Sequence, residues 1–158
     1  MRILALDSSG LTASVAVVED EQILFEYTMN YKKTHSQTLL PMLDEAVRMT
    51  GLSLGSVDAI AVAGGPGSFT GLRIGSATAK GLGLALDKPL IHVPTVDAMA
   101  YRMFGCSGLI CPIMDARRNQ VYTGIYRFEE KFETVKEQLA EDITVLAGML
   151  NELGERVV

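Results

Sequence analysis

The chain opens with three apolar runs separated by polar turns. Ile3–Leu6, Ala13–Val18 and Gln22–Tyr27 read as strands, and "DSSGLT" and "EDEQ" read as the connectors between them. Such short connections predict an antiparallel meander. From about Ser36 to Met49 the apolar period changes to that of a helix. Leu39, Met42, Leu43, Ala46 and Val47 form one stripe, with Ser36 or Thr38 as its expected cap and Pro41 expected in its first turn. Leu40 and Met49 widen the apolar arc to roughly half the circumference, which predicts packing in two directions.

Beyond the loop "GLSLGS", Val57–Ala63 has the continuous apolar character of a buried parallel strand. A glycine-rich turn and a helix to about Leu86 follow, then a strand at Pro89–Val93 and a helix at Val96–Met103. The order β-β-β-α-β-α-β-α predicts an α/β fold on a mixed sheet. From Leu109, "LICPIMDARRNQVYTGIYRF" repeats the pattern of "ILALDSSGLTASVAVVED", and Asp115 takes the place of Asp7. Phe132–Leu139 is the expected third strand of this repeat. Asp142 is expected to cap a helix over Ile143–Leu153, and Gly154 to stop it. "ERVV" reads as the start of a further strand. The expected domains are therefore a first lobe at 1–104 and a second, incomplete in this chain, at 105–158.

Composition narrows the function. The 158 residues are 48% hydrophobic with a mean hydropathy of +0.23, enough for a sizeable core. No apolar run approaches the ~20 residues of a membrane-spanning helix, and the first residues lack the parts of a signal peptide. A cytoplasmic protein with no membrane partner is expected. Cys106 and Cys111 fit neither a disulfide framework nor a zinc site, and read as buried thiols. The net charge of −5 speaks against broad nucleic-acid contact by this chain alone. The small basic clusters "YKK" at 31–33 and "ARR" at 116–118 read as solvated surface. His35, at a helix start, reads as structural. His92, in an apolar strand, reads as a satisfied core residue. Neither has a second histidine at metal-binding spacing.

Three candidate chemistries remain. Asp7, followed by Ser8 and Ser9, and its counterpart Asp115 could hold hydrated magnesium and phosphate oxygens in an actin-like phosphotransferase; alternatively each orders a tight turn. A serine hydrolase through Ser68 fails for want of the flanking glycines and of an acid–histidine partner. The segment "GGPGSFTGLRIG" is not a phosphate loop of the G-x-x-x-x-G-K-[ST] type, because Leu72 and Arg73 follow Gly71. Gly71, Gly75, Ala79 and Gly83 instead recur every fourth residue. Glycines at 75, 81 and 83 should cost on the order of 3 kcal/mol in a helix interior. Close approach of another backbone would offset that, either the chain's own sheet or a partner's helix.

"GGPGSFTGLRIG", "ILALDSS", "HSQTLLPMLDEAV" and "MDARRNQVY" together resemble the TsaB (YeaZ) family over essentially the whole chain. The resemblance implies an actin-like ATPase-domain (ribonuclease H-like) fold of two related lobes. It implies a non-catalytic scaffold for N6-threonylcarbamoyladenosine formation at position 37 of tRNAs that read ANN codons. It also implies a homodimer, or a heterodimer with the catalytic paralogue TsaD, with the ATPase TsaE as a further partner. tRNA would be met only through that complex. No cofactor is required by this chain, and ATP with magnesium would belong to the complex. The expected interface comprises Leu39, Leu40, Met42, Leu43 and Val47 of the first helix and Gly71, Leu72, Gly75, Ala79 and Gly83 of the second.

Overall fold

The computed structural model describes residues 1–30 and 35–158. The "YKK" cluster lies outside the described residues. Two compact units emerge, 1–93 and 94–158, and this division assigns the helix after the fifth strand to the second unit.

In the first unit, β1 (Arg2–Asp7), β2 (Ala13–Glu19) and β3 (Gln22–Met29) form the expected meander. β4 (Ala59–Ala63) pairs parallel to β1, and β5 (Leu90–Val93) parallel to β4, giving the order β3-β2-β1-β4-β5. Each parallel pair needs a crossover, and the helices α1 (His35–Thr50) and α2 (Phe69–Leu86) supply them. α1 packs on β2 and β3, α2 packs on β1, β4 and β5, and the two helices also touch each other. Alternation along the strands sends Leu4, Leu6, Val15, Val17 and Ile60 to the helix side. They form one core there with Leu39, Met42 and Leu43 of α1 and Ala79 of α2. The stripe of Leu39, Met42 and Leu43 meets the core, whereas Leu40 and Met49, which widen the arc, stay exposed.

α1 begins at His35, so Ser36 and Thr38 occupy its first turn rather than capping it. The Thr38 hydroxyl is directed back to the His35 carbonyl at 3.4 Å. Pro41 stands in the second turn, where its missing N–H removes one helical hydrogen bond. β4 starts at Ala59 rather than Val57, because a 3-10 turn at Leu54–Ser56 takes the Val57 N–H onto the Leu54 carbonyl.

The second unit repeats the pattern. After α3 (Thr95–Tyr101), β6 (Leu109–Ile110) and β7 (Ile113–Arg117) follow one another along one edge of β8 (Gln120–Phe128), and β9 (Phe132–Asp142) lines its other edge. α4 (Ile143–Leu153) comes next, and Val157 then bridges Leu109 in parallel. The succession β9, β8, β6/β7, Val157 matches β3, β2, β1, β4. This is the actin-like ATPase-domain (ribonuclease H-like) arrangement, with two related lobes.

The α4 boundaries follow the sequence signals. Asp142 Oδ1 accepts from the Thr144 N–H at 2.8 Å and from the Thr144 hydroxyl at 2.5 Å, and Gly154 closes the helix at φ 66°. The hydroxyl bond first, then the backbone N–H, hold the Asp142 carboxyl below its ordinary range. A group with a depressed pKa stabilises the fold above its unfolded pKa and loses that contribution as pH falls through its folded one. Asp142→Ala is expected to lower Tm by roughly 5 °C at neutral pH. The gap to wild type should close below about pH 4, the usual aspartate range. Paired thermal melts across pH check this.

Candidate functional site

The loop "GGPGS" is built to bring α2 down onto the end of β1. Ser68 caps the helix, its Oγ accepting from the Gly71 N–H at 3.2 Å, while its own N–H bonds the Ser9 carbonyl at 2.7 Å. The Ser8 hydroxyl, buried, donates to the Gly71 carbonyl at 2.9 Å. A Cβ on Gly71 would overlap the Ser8 carbonyl oxygen, and one on Gly67 the Ser9 carbonyl oxygen. On Gly75 a Cβ would stand 2.5 Å from Ser8 Oγ, and on Gly83 2.9 Å from Leu90 Cδ2. Gly71, Gly75, Ala79 and Gly83 are the buried residues of α2.

The four-residue stripe therefore faces the chain's own strands, and its expected place in a partner interface is corrected. The close contacts that offset its glycines are with Ser8 just past β1, Val62 of β4 and Leu90 of β5. Leu39, Met42 and Leu43 are likewise core residues and not interface residues, and Val47 packs half-buried against the same core. Of the expected interface positions, Leu40 stands out at 53% exposure, and Leu72 is half-buried. Sequence reasoning missed the outward residues of α2: Phe69, Arg73, Ala77, Lys80 and Leu84, the last 88% exposed. The recurrence of Phe69, Arg73, Ala77 and Gly81 every fourth residue marks that outer face. Arg73 stacks on Phe69, its guanidinium 3.9 Å from the ring centroid.

The two Asp turns have the same construction. Asp7 Oδ1 accepts from the Ser9 N–H at 2.8 Å, and Asp115 Oδ1 from the Arg117 N–H at 2.7 Å. Each carboxylate closes its own turn two residues on. Ser8, with its hydroxyl committed to Gly71, is corrected as a phosphate ligand, and Ser9 is buried with its carbonyl occupied. Arg117, Arg118 and Asn119 all have positive φ and form an exposed hairpin tip, so "ARR" lies at the surface as expected.

The remaining polar residues divide. His35 Nε2 bonds the Gly10 carbonyl at 2.9 Å, a structural role. His92 is exposed on β5 above Gly64, not in the core: its register opposite Val62 points it to the helix side at the sheet's end. Cys111 is buried beside Thr123 Oγ1 at 3.2 Å, and burial pushes its thiol pKa up, partly opposed by that contact. Cys106 is half-buried rather than buried. Among the described residues, no three His, Cys, Asp or Glu side chains converge as a metal site requires, and no helix is long and apolar enough to cross a membrane.

With this geometry in hand, comparison with known proteins identifies the family. The chain is 38% identical over 157 residues to the tRNA threonylcarbamoyladenosine biosynthesis protein TsaB of Bacillus subtilis, covering 99% of this chain and 67% of that protein. The chain belongs to the TsaB (YeaZ) family. TsaB of Escherichia coli matches at 38% over 133 residues, 82% of this chain and 57% of the relative. YeaZ from Pseudomonas aeruginosa superposes with a TM-score of 0.79 at 32% identity, over 89% of this chain and 67% of that one. Residues 22–155 also match the family model described as "TsaD: tRNA N6-adenosine threonylcarbamoyltransferase", so this TsaB-family chain falls within the wider family of that model. The chain spans between half and two thirds of the length of several curated TsaB relatives.

Proposed function

We propose that this chain serves tRNA N6-threonylcarbamoyladenosine formation as a non-catalytic, cytoplasmic scaffold, docking a second copy or a TsaD-like transferase through the outward faces of α1 and α2. TsaE-like ATPase, ATP and tRNA would join through that complex. The observation that carries the reading is the kinship to TsaB chains, named for this biosynthesis. The place of docking rests on Leu40 of α1 and Leu84 of α2, large apolar side chains left outside the core on two neighbouring helices.

Leu40→Arg with Leu84→Arg should weaken association at least ~10-fold, about 1.4 kcal/mol, while leaving Tm unchanged because both residues are exposed. Sedimentation of the protein alone and co-purification with the TsaD-like protein from the same cells provide the measurement. Unchanged association in both experiments would remove α1 and α2 as the docking face.

A further inference from the structure

The sheet ends in β5, whose outer edge has no strand partner among the described residues. Between α2 and the end of β4, and reaching His92 of β5, runs an open groove of about 510 Å³. Val62, Leu72 and Ala77 form its apolar lining, and Leu90 and Ile91 of β5 are exposed. Every ionisable residue lining it is basic: Arg73, Lys80 and His92. No carboxylate pairs with any of the three among the described residues, although the chain as a whole is acidic.

We propose that this groove takes an extended, acidic peptide segment of a partner protein, laid along the free edge of β5. An added strand would meet the unpaired backbone of the edge, and alternate side chains would turn toward α2. Carboxylates on that side would face Arg73 and Lys80, with the His92 ring beside them, while apolar residues on the opposite side would cover Ile91. The spacing favours a peptide over a single phosphate. Arg73 and Lys80 stand two helical turns apart, about 10 Å along the axis, a span that two glutamates on one side of an extended chain, about 7 Å apart at the backbone, bridge with their side chains and one phosphate does not. Two amides of the loop are also committed within the chain: the Gly64 N–H bonds the Val93 carbonyl at 2.9 Å and the Ser68 N–H the Ser9 carbonyl at 2.7 Å. The groove shares Arg73 and Lys80 with the outward face of α2, so its test is peptide titration onto the chain alone, while scaffold docking is tested by the Leu40 and Leu84 variant.

The probe is a blocked, fluorescein-labelled nonapeptide alternating glutamate and valine, titrated onto the whole chain, with a lysine-for-glutamate version as control. Binding of the acidic peptide is expected, weakening as salt rises. Backbone NMR shifts should fall on Leu90, Ile91, His92, Arg73 and Lys80. Arg73→Glu with Lys80→Glu should reduce affinity at least ~10-fold with Tm unchanged. If that variant melts early, Arg73→Gln with Lys80→Gln is read instead and should still lose several-fold. The proposal is overturned if the acidic peptide does not bind, if the lysine peptide binds as well, if both variants bind like wild type, or if inorganic triphosphate moves the same residues at lower concentration.

Discussion

Gly71→Ala should destabilise the first unit by about 3 kcal/mol, the upper part of the range for overpacking a rigid site. In an ordinary helix interior the same change stabilises, by up to about 1 kcal/mol, because alanine has the higher helix propensity. The sign reverses here because the new Cβ has nowhere to go. It would overlap the Ser8 carbonyl oxygen, a backbone atom fixed by the end of β1. The Ser8 hydroxyl in turn holds the Gly71 carbonyl, so the helix cannot lift without breaking a buried hydrogen bond. Gly81→Ala supplies the control. Gly81 lies on the same helix, is exposed, and a Cβ there would meet nothing within 4 Å. Urea unfolding of the two variants should move the midpoint in opposite directions. Equal or greater stability of Gly71→Ala would mean that α2 is not seated on β1 as described. Gly75→Leu and Ala79→Leu are poor probes of a partner interface for the same reason: both would disturb the fold before they touched a partner.

The residues explain why the elements were legible in the sequence while the direction of the faces was not. Strand and helix positions follow from period and punctuation, signals local to a few residues, so the meander, the crossover helices and the Asp142–Gly154 boundaries could be read directly. The repeat was legible for the same reason, since Asp7 and Asp115 each close a turn at matching places. The stripe at 71, 75, 79 and 83 was also visible, but a small-residue stripe fits any close neighbour. Only the three-dimensional placement of Ser8 and Leu90 distinguishes the chain's own strands from a foreign helix. His92 shows the limit in the other direction. Its strand is apolar, yet β5 is the last strand of the sheet, and strand order is a non-local property that one-dimensional periodicity does not contain. The same ambiguity hid Lys80 and Arg73, which line one groove together with His92 of β5.

Tyr126 carries the second large effect. Its ring is fully buried in β8, stacks on Phe132 at 5.2 Å between centroids, and packs among Val96, Ala100, Ile110 and Phe128. Gly124 leaves the space its hydroxyl end occupies. That hydroxyl donates to Asp97 Oδ1 at 2.6 Å, tying α3 to the sheet of the second unit. Tyr126→Ala should cost about 3–5 kcal/mol, as aromatic truncation in a core does. Tyr126→Phe keeps the packing and loses the bond, at about 1–2 kcal/mol near neutral pH. The two substitutions separate further in alkali. Burial first, and then the bond and charge of Asp97, raise the phenol pKa above its ordinary value. In the unfolded chain the phenol ionises near pH 10, so above that pH the unfolded state holds fewer protons than the folded one. Stability should then fall with rising pH, by up to about 1.4 kcal/mol per pH unit from this one group, until the folded phenol also ionises. Tyr126→Phe lacks that loss, so its Tm deficit against wild type should shrink between about pH 10 and 12. A deficit that stays constant across that range would show that Tyr126 ionises as freely in the fold as outside it.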